Sequence, residues 1–131
     1  MALSGPLAEH FERQATACDA LGSPFTARVC RQLASLLDET TETGRRIAGW
    51  PGDPRADALA LRICGGLHRL VLAGVDTALA AAYPPRTVAD DALAGALRAA
   101  LLRHDAALAA VLDSPPQTNE IARSGMLLPG F

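Results

Sequence analysis

From Asp57 to Ala73 the chain reads DALALRICGGLHRLVLA, and its apolar residues run almost all the way round a helix. A helix of that kind has to be surrounded by others, so this stretch constrains the architecture more than any other. Leu59, Ile63, Leu67 and Leu70 form one stripe at helical spacing, while Ala60, Leu61, Cys64, Val71 and Leu72 cover the flanking faces. Arg62 and Arg69, with Arg55 one heptad earlier, mark a narrow polar seam. The pair Gly65 and Gly66 costs about 1 kcal/mol per residue in helix propensity, so its predicted use is a notch that lets another backbone approach closely.

Composition supports a helical reading of the rest. Half of the 131 residues are apolar but only 4% are aromatic, and Ala and Leu dominate over the β-branched strand formers. Twelve arginines, no lysine and 14 scattered acidic residues leave a formal net charge of −2. That balance supplies no basic field for a phosphate backbone, so nucleic acid is not an expected partner. The longest charge-free stretch, Thr77 to Pro85, has nine residues and ends in two prolines. A membrane-spanning helix needs about 20 apolar residues, and the N-terminus lacks a basic segment before an apolar one, so a cytoplasmic, unprocessed chain is expected. Cys18, Cys30 and Cys64 show no CxxC spacing and are read as small buried apolar residues rather than disulfide halves.

In chain order, Ser4, Gly5 and Pro6 read as a helix start, with Leu7, Phe11, Ala15, Cys18 and Leu21 as the inward stripe and Gly22 as the stop. Ser23 and Pro24 read as the N-cap and first residue of a second helix, which buries Phe25, Val29, Leu33, Leu36 and Leu37 and forms a hairpin with the first. The polar run DETTETGRR, Asp38 to Arg46, reads as a frayed helical end or an exposed loop. Asp53 before Pro54 is a further start signature, so the central helix is predicted to begin as early as Pro54, with Trp50 packed over its start. Asp76 caps a short helix, Thr77 to Ala82, that Tyr83, Pro84 and Pro85 end. Asp90 caps a last long helix, Asp91 to Leu112, whose apolar side (Leu93, Leu97, Leu101, Leu108, Val111, Leu112) is expected against the hub and whose polar seam is Asp91, Arg98 and Asp105. After Pro115 and Pro116, Thr118 or Asn119 can cap a final short helix. The predicted fold is thus all-α, a single bundle of about five to six helices around the central apolar helix.

Few residues carry recognisable chemistry. Cys64 and His68 lie four apart on one helical face, a spacing that brings two ligands to one metal, but no second pair completes a site and no metal is expected. His68 and His104 read as core or core-edge histidines bonded to a backbone carbonyl, and His10 as sharing a surface with Glu9 and Arg13. Trp50 and His68 are the weaker pocket candidates. There is no glycine-rich phosphate loop and no GxSxG, so no catalytic residue is assigned and no self-contained active site is expected.

The stretch PPQTNEIARSG differs. Gln117, Thr118, Asn119, Glu120, Arg123 and Ser124 place six hydrogen-bonding side chains in eight positions behind a rigid double proline. Helix capping by Thr118 or Asn119 with Glu120 explains part of this cluster and leaves Gln117, Arg123 and Ser124 unexplained. These six are the candidate binding residues.

The runs GSPFTARVC (Gly22 to Cys30), GWPGDPRADALALR (Gly49 to Arg62), GGLHRLVLAG (Gly65 to Gly74) and PPQTNEIARSGMLLPGF (Pro115 to Phe131) together resemble the N-terminal part of the bacterial domain-of-unknown-function family 2332. Longer members continue into a strand and glycine-rich turn similar to the start of S-adenosylmethionine-dependent methyltransferases. The resemblance implies that residues 1–131 form one helical domain, the N-terminal part of that architecture, with no cofactor held in this chain. It implies a non-catalytic domain that packs on a following α/β domain and lends it the segment Gln117 to Ser124. Two alternatives stand beside it. One is self-association or protein interaction through Leu127, Leu128 and Phe131, and the other is a bundle that binds a small molecule beside His68 and Trp50.

Overall fold

Leu3 and residues 5–113 are described in a computed structural model, and these residues form seven α-helices and no strand. The first, α1 (Gly5–Ala20), packs antiparallel to α2 (Pro24–Leu36). Their connection follows from Gly22, whose φ of +84° places it in the left-handed region. With Gly22 there, Ser23 N–H reaches back to Cys18 O (2.8 Å) and Gly22 N–H to Asp19 O (3.2 Å), which closes the helix end. Leu21, expected inward, is instead 66% exposed, because it lies in this terminating turn. Ser23 occupies the N-cap position but makes no capping bond, and its hydroxyl donates to Thr26 Oγ1 (2.8 Å).

The polar run 38–46 departs from expectation: it contains a helix, α3 (Glu42–Ala48). Local propensity alone missed it because its support comes from two caps. Thr41 Oγ1 accepts Gly44 N–H (3.0 Å), and the distant carboxylate of Asp105 accepts the amides of Glu42 (2.8 Å) and Thr43 (2.9 Å). Glu42 in the first turn and Arg45 and Arg46 in the last also complement the helix dipole. A Cβ on Gly44 would collide with the Asp38 carbonyl oxygen, so only glycine allows this approach.

The hub is α4 (Leu59–Leu72), shorter at both ends than the predicted span from Asp57 to Ala73. Asp53 and Pro54 do start a turn, with Arg55 N–H on Asp53 Oδ1, but it closes after one revolution. Leu59 N–H bonds Pro54 O, Ala58 N–H bonds Arg55 O, and Ala58 sits at φ +52°. Ala58 thereby ends one turn and redirects the chain before α4 begins. Every residue from Leu59 to His68 is buried. Gly66 is the expected notch: a Cβ there would lie 3.0 Å from Leu108 Cδ2 and 3.4 Å from Val111 Cγ2. Arg62 is not part of a water-facing seam. It is only 2% exposed, donates to Val111 O (2.9 Å) and faces the Trp50 ring.

Gly74, at φ +70°, ends α4, and Asp76 caps α5 (Thr77–Ala80) by accepting Leu79 N–H at 2.9 Å. This helix stops two residues earlier than predicted. The expected helix from Asp91 to Leu112 is two helices, α6 (Asp90–Arg103) and α7 (Asp105–Val111), broken at His104 (φ −113°, ψ 25°). The Asp105 carboxylate serves α3 across the break. Asp90 is not the N-cap of α6; Ala89 holds that position and Asp90 Oδ1 receives Arg28 (2.8 Å). Consequently α7 is the one of the two that packs mainly on the hub, while α6 lies mainly on α2 and α5. The core joins Phe11, Leu33, Leu37, Ile47, Leu59, Ile63, Leu67, Leu79, Leu93 and Leu97 in one cluster. Among the described residues no helix is long and apolar enough to cross a membrane.

Candidate functional site

The six candidates Gln117, Thr118, Asn119, Glu120, Arg123 and Ser124, and the apolar Leu127, Leu128 and Phe131, lie outside the described residues, as does the predicted helix around them. What is visible is the point from which that segment departs. Arg46 Nη1 donates to Ala109 O (2.8 Å), Arg46 Nη2 to Asp113 Oδ1 (2.6 Å), and Arg62 Nη2 to Val111 O (2.9 Å). Two guanidiniums from α3 and α4 thus reach carbonyls in the last turn of α7, where Ala109 O also accepts Leu112 N–H (3.0 Å) and the helix dipole favours positive charge. Burial lowers the affinity of Arg62 for its proton, offset by Asp57 and reinforced by Arg46.

Trp50 and His68 belong to separate settings. Trp50 is half-buried beside the start of α4, with its indole N–H on Asp57 Oδ2 (2.7 Å). His68 is fully buried, its Nδ1 sharing a 2.6 Å hydrogen bond with Tyr83 Oη and its Nε2 lying 3.5 Å from Thr26 Oγ1. Ser23, Thr26, His68 and Tyr83 therefore line up as a polar chain through the core. Burial holds the Tyr83 hydroxyl well above its usual pKa, with Cys64 adding to the shift, so the phenol stays neutral. Such a chain fixes the placement of α2, α4 and the residues after α5.

The cysteines are free and buried. Cys30 Sγ and Cys64 Sγ lie 3.5 Å apart. The hydrogen bond with Cys30 and then burial push the Cys18 thiol far up. At Cys30 the bond with Cys18 pulls downward, but the bond with Cys64 and burial outweigh it. Neutral, enclosed thiols are poor nucleophiles and poor metal ligands. Among the described residues no group of three or more His, Cys, Asp or Glu is placed to hold a metal ion.

Two sites escaped the reading of the sequence. Asp76, with a 1% exposed side chain, accepts Arg103 Nη1 and His104 Nε2–H at Oδ2 (2.9 Å each) while capping α5 with Oδ1. Burial works to raise its pKa; the Leu79 amide, His104 and Arg103 outweigh that and leave it below the usual carboxylate value. The cap was readable from local spacing, its partners 27 and 28 positions away were not. The other site is an open cleft of about 650 Å³ between α1 and residues 53–61, lined by His10, Arg13, Gln14, Asp53, Arg55 and Leu61 among others. Neither His68 nor Trp50 lines it. His10, expected to share no more than a surface, accepts Ala60 N–H at Nε2 (3.2 Å) and so caps the hub.

The family model described as "Uncharacterized protein conserved in bacteria (DUF2332)" matches residues 8–131. The chain belongs to this family. No curated protein and no solved structure matches it. The match runs from α1 through α7 and on through the segment that carries the six polar candidates, so DUF2332 membership covers both the helices and the candidate residues.

Proposed function

We propose that residues 1–131 act as one non-catalytic helical domain of a longer DUF2332 protein, which packs on a following methyltransferase-like α/β domain and lends its site the segment containing Gln117, Thr118, Asn119, Glu120, Arg123 and Ser124. The observation that supports this reading is the hold of Arg46 and Arg62 on Ala109, Val111 and Asp113, which ties the last described residues to α3 and α4. A polar segment used in another domain's site needs such a fixed base. On this reading Leu127, Leu128 and Phe131 meet the α/β domain, or a second copy of the chain in its absence, and the helices hold no cofactor themselves. The test begins with the coding sequence downstream of Phe131, which should continue into an α/β domain. The longer protein should then bind S-adenosylmethionine by calorimetry, and Asn119→Ala and Arg123→Ala should lower methyl transfer without lowering the melting temperature. A reading frame that closes at Phe131, or a longer protein with no affinity for S-adenosylmethionine, rejects it.

A second reading, a bundle that binds a small molecule, is favoured by the cleft beside His10, whose volume falls in the usual range for ligand pockets. Its marker is a rise in melting temperature with one compound of a metabolite panel that is lost in Arg55→Ala. No shift with any compound argues for the first reading.

A further inference from the structure

The bond between His10 and the hub spans 50 positions and joins α1 to the first turn of α4. To accept Ala60 N–H, Nε2 must carry no proton, so the ring's hydrogen sits on Nδ1. The ring is held in place edge-on to Phe11, with centroids 5.6 Å apart. Its neighbours in the first turn are satisfied by backbone, Leu59 N–H by Pro54 O and Arg62 N–H by Ala58 O, whereas Ala60 N–H goes to the His10 ring.

We propose that His10 is an acid-released latch: neutral, it closes α1 onto the start of the hub helix, and protonated, it lets go and opens the cleft between α1 and residues 53–58. The chemistry is direct. A proton on Nε2 sets donor against donor at Ala60 and brings a positive charge to the positive end of α4. The charged groups around His10 are Glu9 and Arg13 on its own helix, paired at 2.6 Å, and Asp53 and Arg55 on the facing turn. Beyond them, Asp57 is engaged by Trp50 and Arg62 of α4 by Val111 O. Asp53 favours the charged ring and Arg55 opposes it, with burial the larger influence, so the net direction is toward the neutral form. An imidazolium released from Ala60 has the Asp53 carboxylate as its new partner, which draws it along the cleft wall and away from α4.

The sign follows from linkage. A lowered folded-state value means that the unfolded chain binds the proton first, so the stability contributed by the latch is present above the ordinary imidazole value and lost as pH falls through the lower folded value. Trp50, the single tryptophan, reports on the same turn through its bond to Asp57. Between pH 8 and pH 5, its fluorescence should change with a midpoint equal to that of the His10 ring followed by NMR. Between the ordinary imidazole value and that midpoint the Ala60 amide should lose protection from exchange by up to about tenfold per pH unit, and level off below it. In His10→Gln, whose carbonyl oxygen can accept but not titrate, both changes should vanish. A Trp50 transition that survives in His10→Gln overturns the latch in favour of another group. Should that variant fail to fold, the wild-type protein decides: a His10 ring that titrates while Ala60 protection stays flat overturns it equally.

Discussion

The hub helix is held on two sides by different physics. On one side α1 and α2 cover it, with Phe11, Val29, Cys30 and Leu33 in one cluster with Ile63, Cys64 and Leu67, a surface of apolar atoms and buried thiols. On the other, α3 and α7 are tied to each other and to α4 by placed polar bonds: Thr43 to Asp105, Arg46 to Ala109 and Asp113, Arg62 to Val111. The first kind of contact tolerates small shifts because burial is non-directional. The second does not, since each bond requires a particular donor and acceptor and leaves a desolvated group when one is removed. Two helices of seven residues, α3 and α7, are too short to stand on propensity, and the polar bonds are what make them helices at all.

The strongest break of this contrast is at Gly66, where the α7 side comes nearest to the hub. Gly66→Leu should cost at least about 3 kcal/mol in urea denaturation or prevent folding, because the side chain has Leu108 and Val111 in its way. Gly66→Ala should change stability by no more than about 1 kcal/mol, since Leu108 Cδ2 is the movable end of a side chain and alanine regains helix propensity. If Gly66→Leu is as stable as the wild type, the notch is not a contact and α7 does not depend on the hub.

The same contrast explains what could be read in the sequence. The apolar side was legible because a period of 3.6 residues is written in consecutive positions: Phe11, Ala15 and Cys18, or Val29 and Leu33, fall on their face whatever else the chain does. Gly22 was legible as a stop for the same local reason. The α3 and α7 side was not, because Thr43 and Asp105 are 62 positions apart and nothing near either residue announces the other. Arg62 was legible only as part of a polar seam, because the helix end that satisfies its polar head lies 49 positions downstream. His10 fails in the same way, 50 positions from Ala60. Of the candidate residues, Trp50 was placed correctly beside the start of the hub, whereas the burial of His68 among hydroxyls has no local signature.

Removing one of the placed bonds should come next in size. Asp105→Ala leaves two α3 amides without their acceptor and Thr43 Oγ1 with only the backbone carbonyl of residue 105 (3.1 Å), and should cost about 2 kcal/mol. Burial would raise the Asp105 pKa, but the bonds from Thr43 and Glu42 and the charge of Arg45 bring it below the usual carboxylate value. Its stabilisation is therefore present above that value and lost as pH falls through the lower folded one. The difference between wild type and Asp105→Ala should accordingly be constant from pH 7 to about pH 5 and shrink on further acidification. A double-mutant cycle with Thr43→Val that shows no coupling would remove the tie between α3 and α7.

The smallest effect belongs to the pair that looks most prominent on the surface, Arg28 with Asp90. Arg28 reaches Asp90 Oδ1 through both Nε (3.2 Å) and Nη2 (2.8 Å), yet the Asp90 side chain is 77% exposed and water competes for it. Asp90→Asn should cost less than about 1 kcal/mol and cost still less in 1 M salt, where exposed charges are screened over about 3 Å. Arg28→Ala should cost more than Asp90→Asn, because Arg28 Nη2 also donates to Val88 O at 2.8 Å and that part-buried bond is insensitive to salt. Equal costs for the two variants would mean that the ion pair, not the carbonyl contact, ties α2 to the start of α6. A larger, salt-resistant cost for Arg28→Ala would place this junction with the polar side of the hub, held by a directed bond to backbone and only decorated by charge.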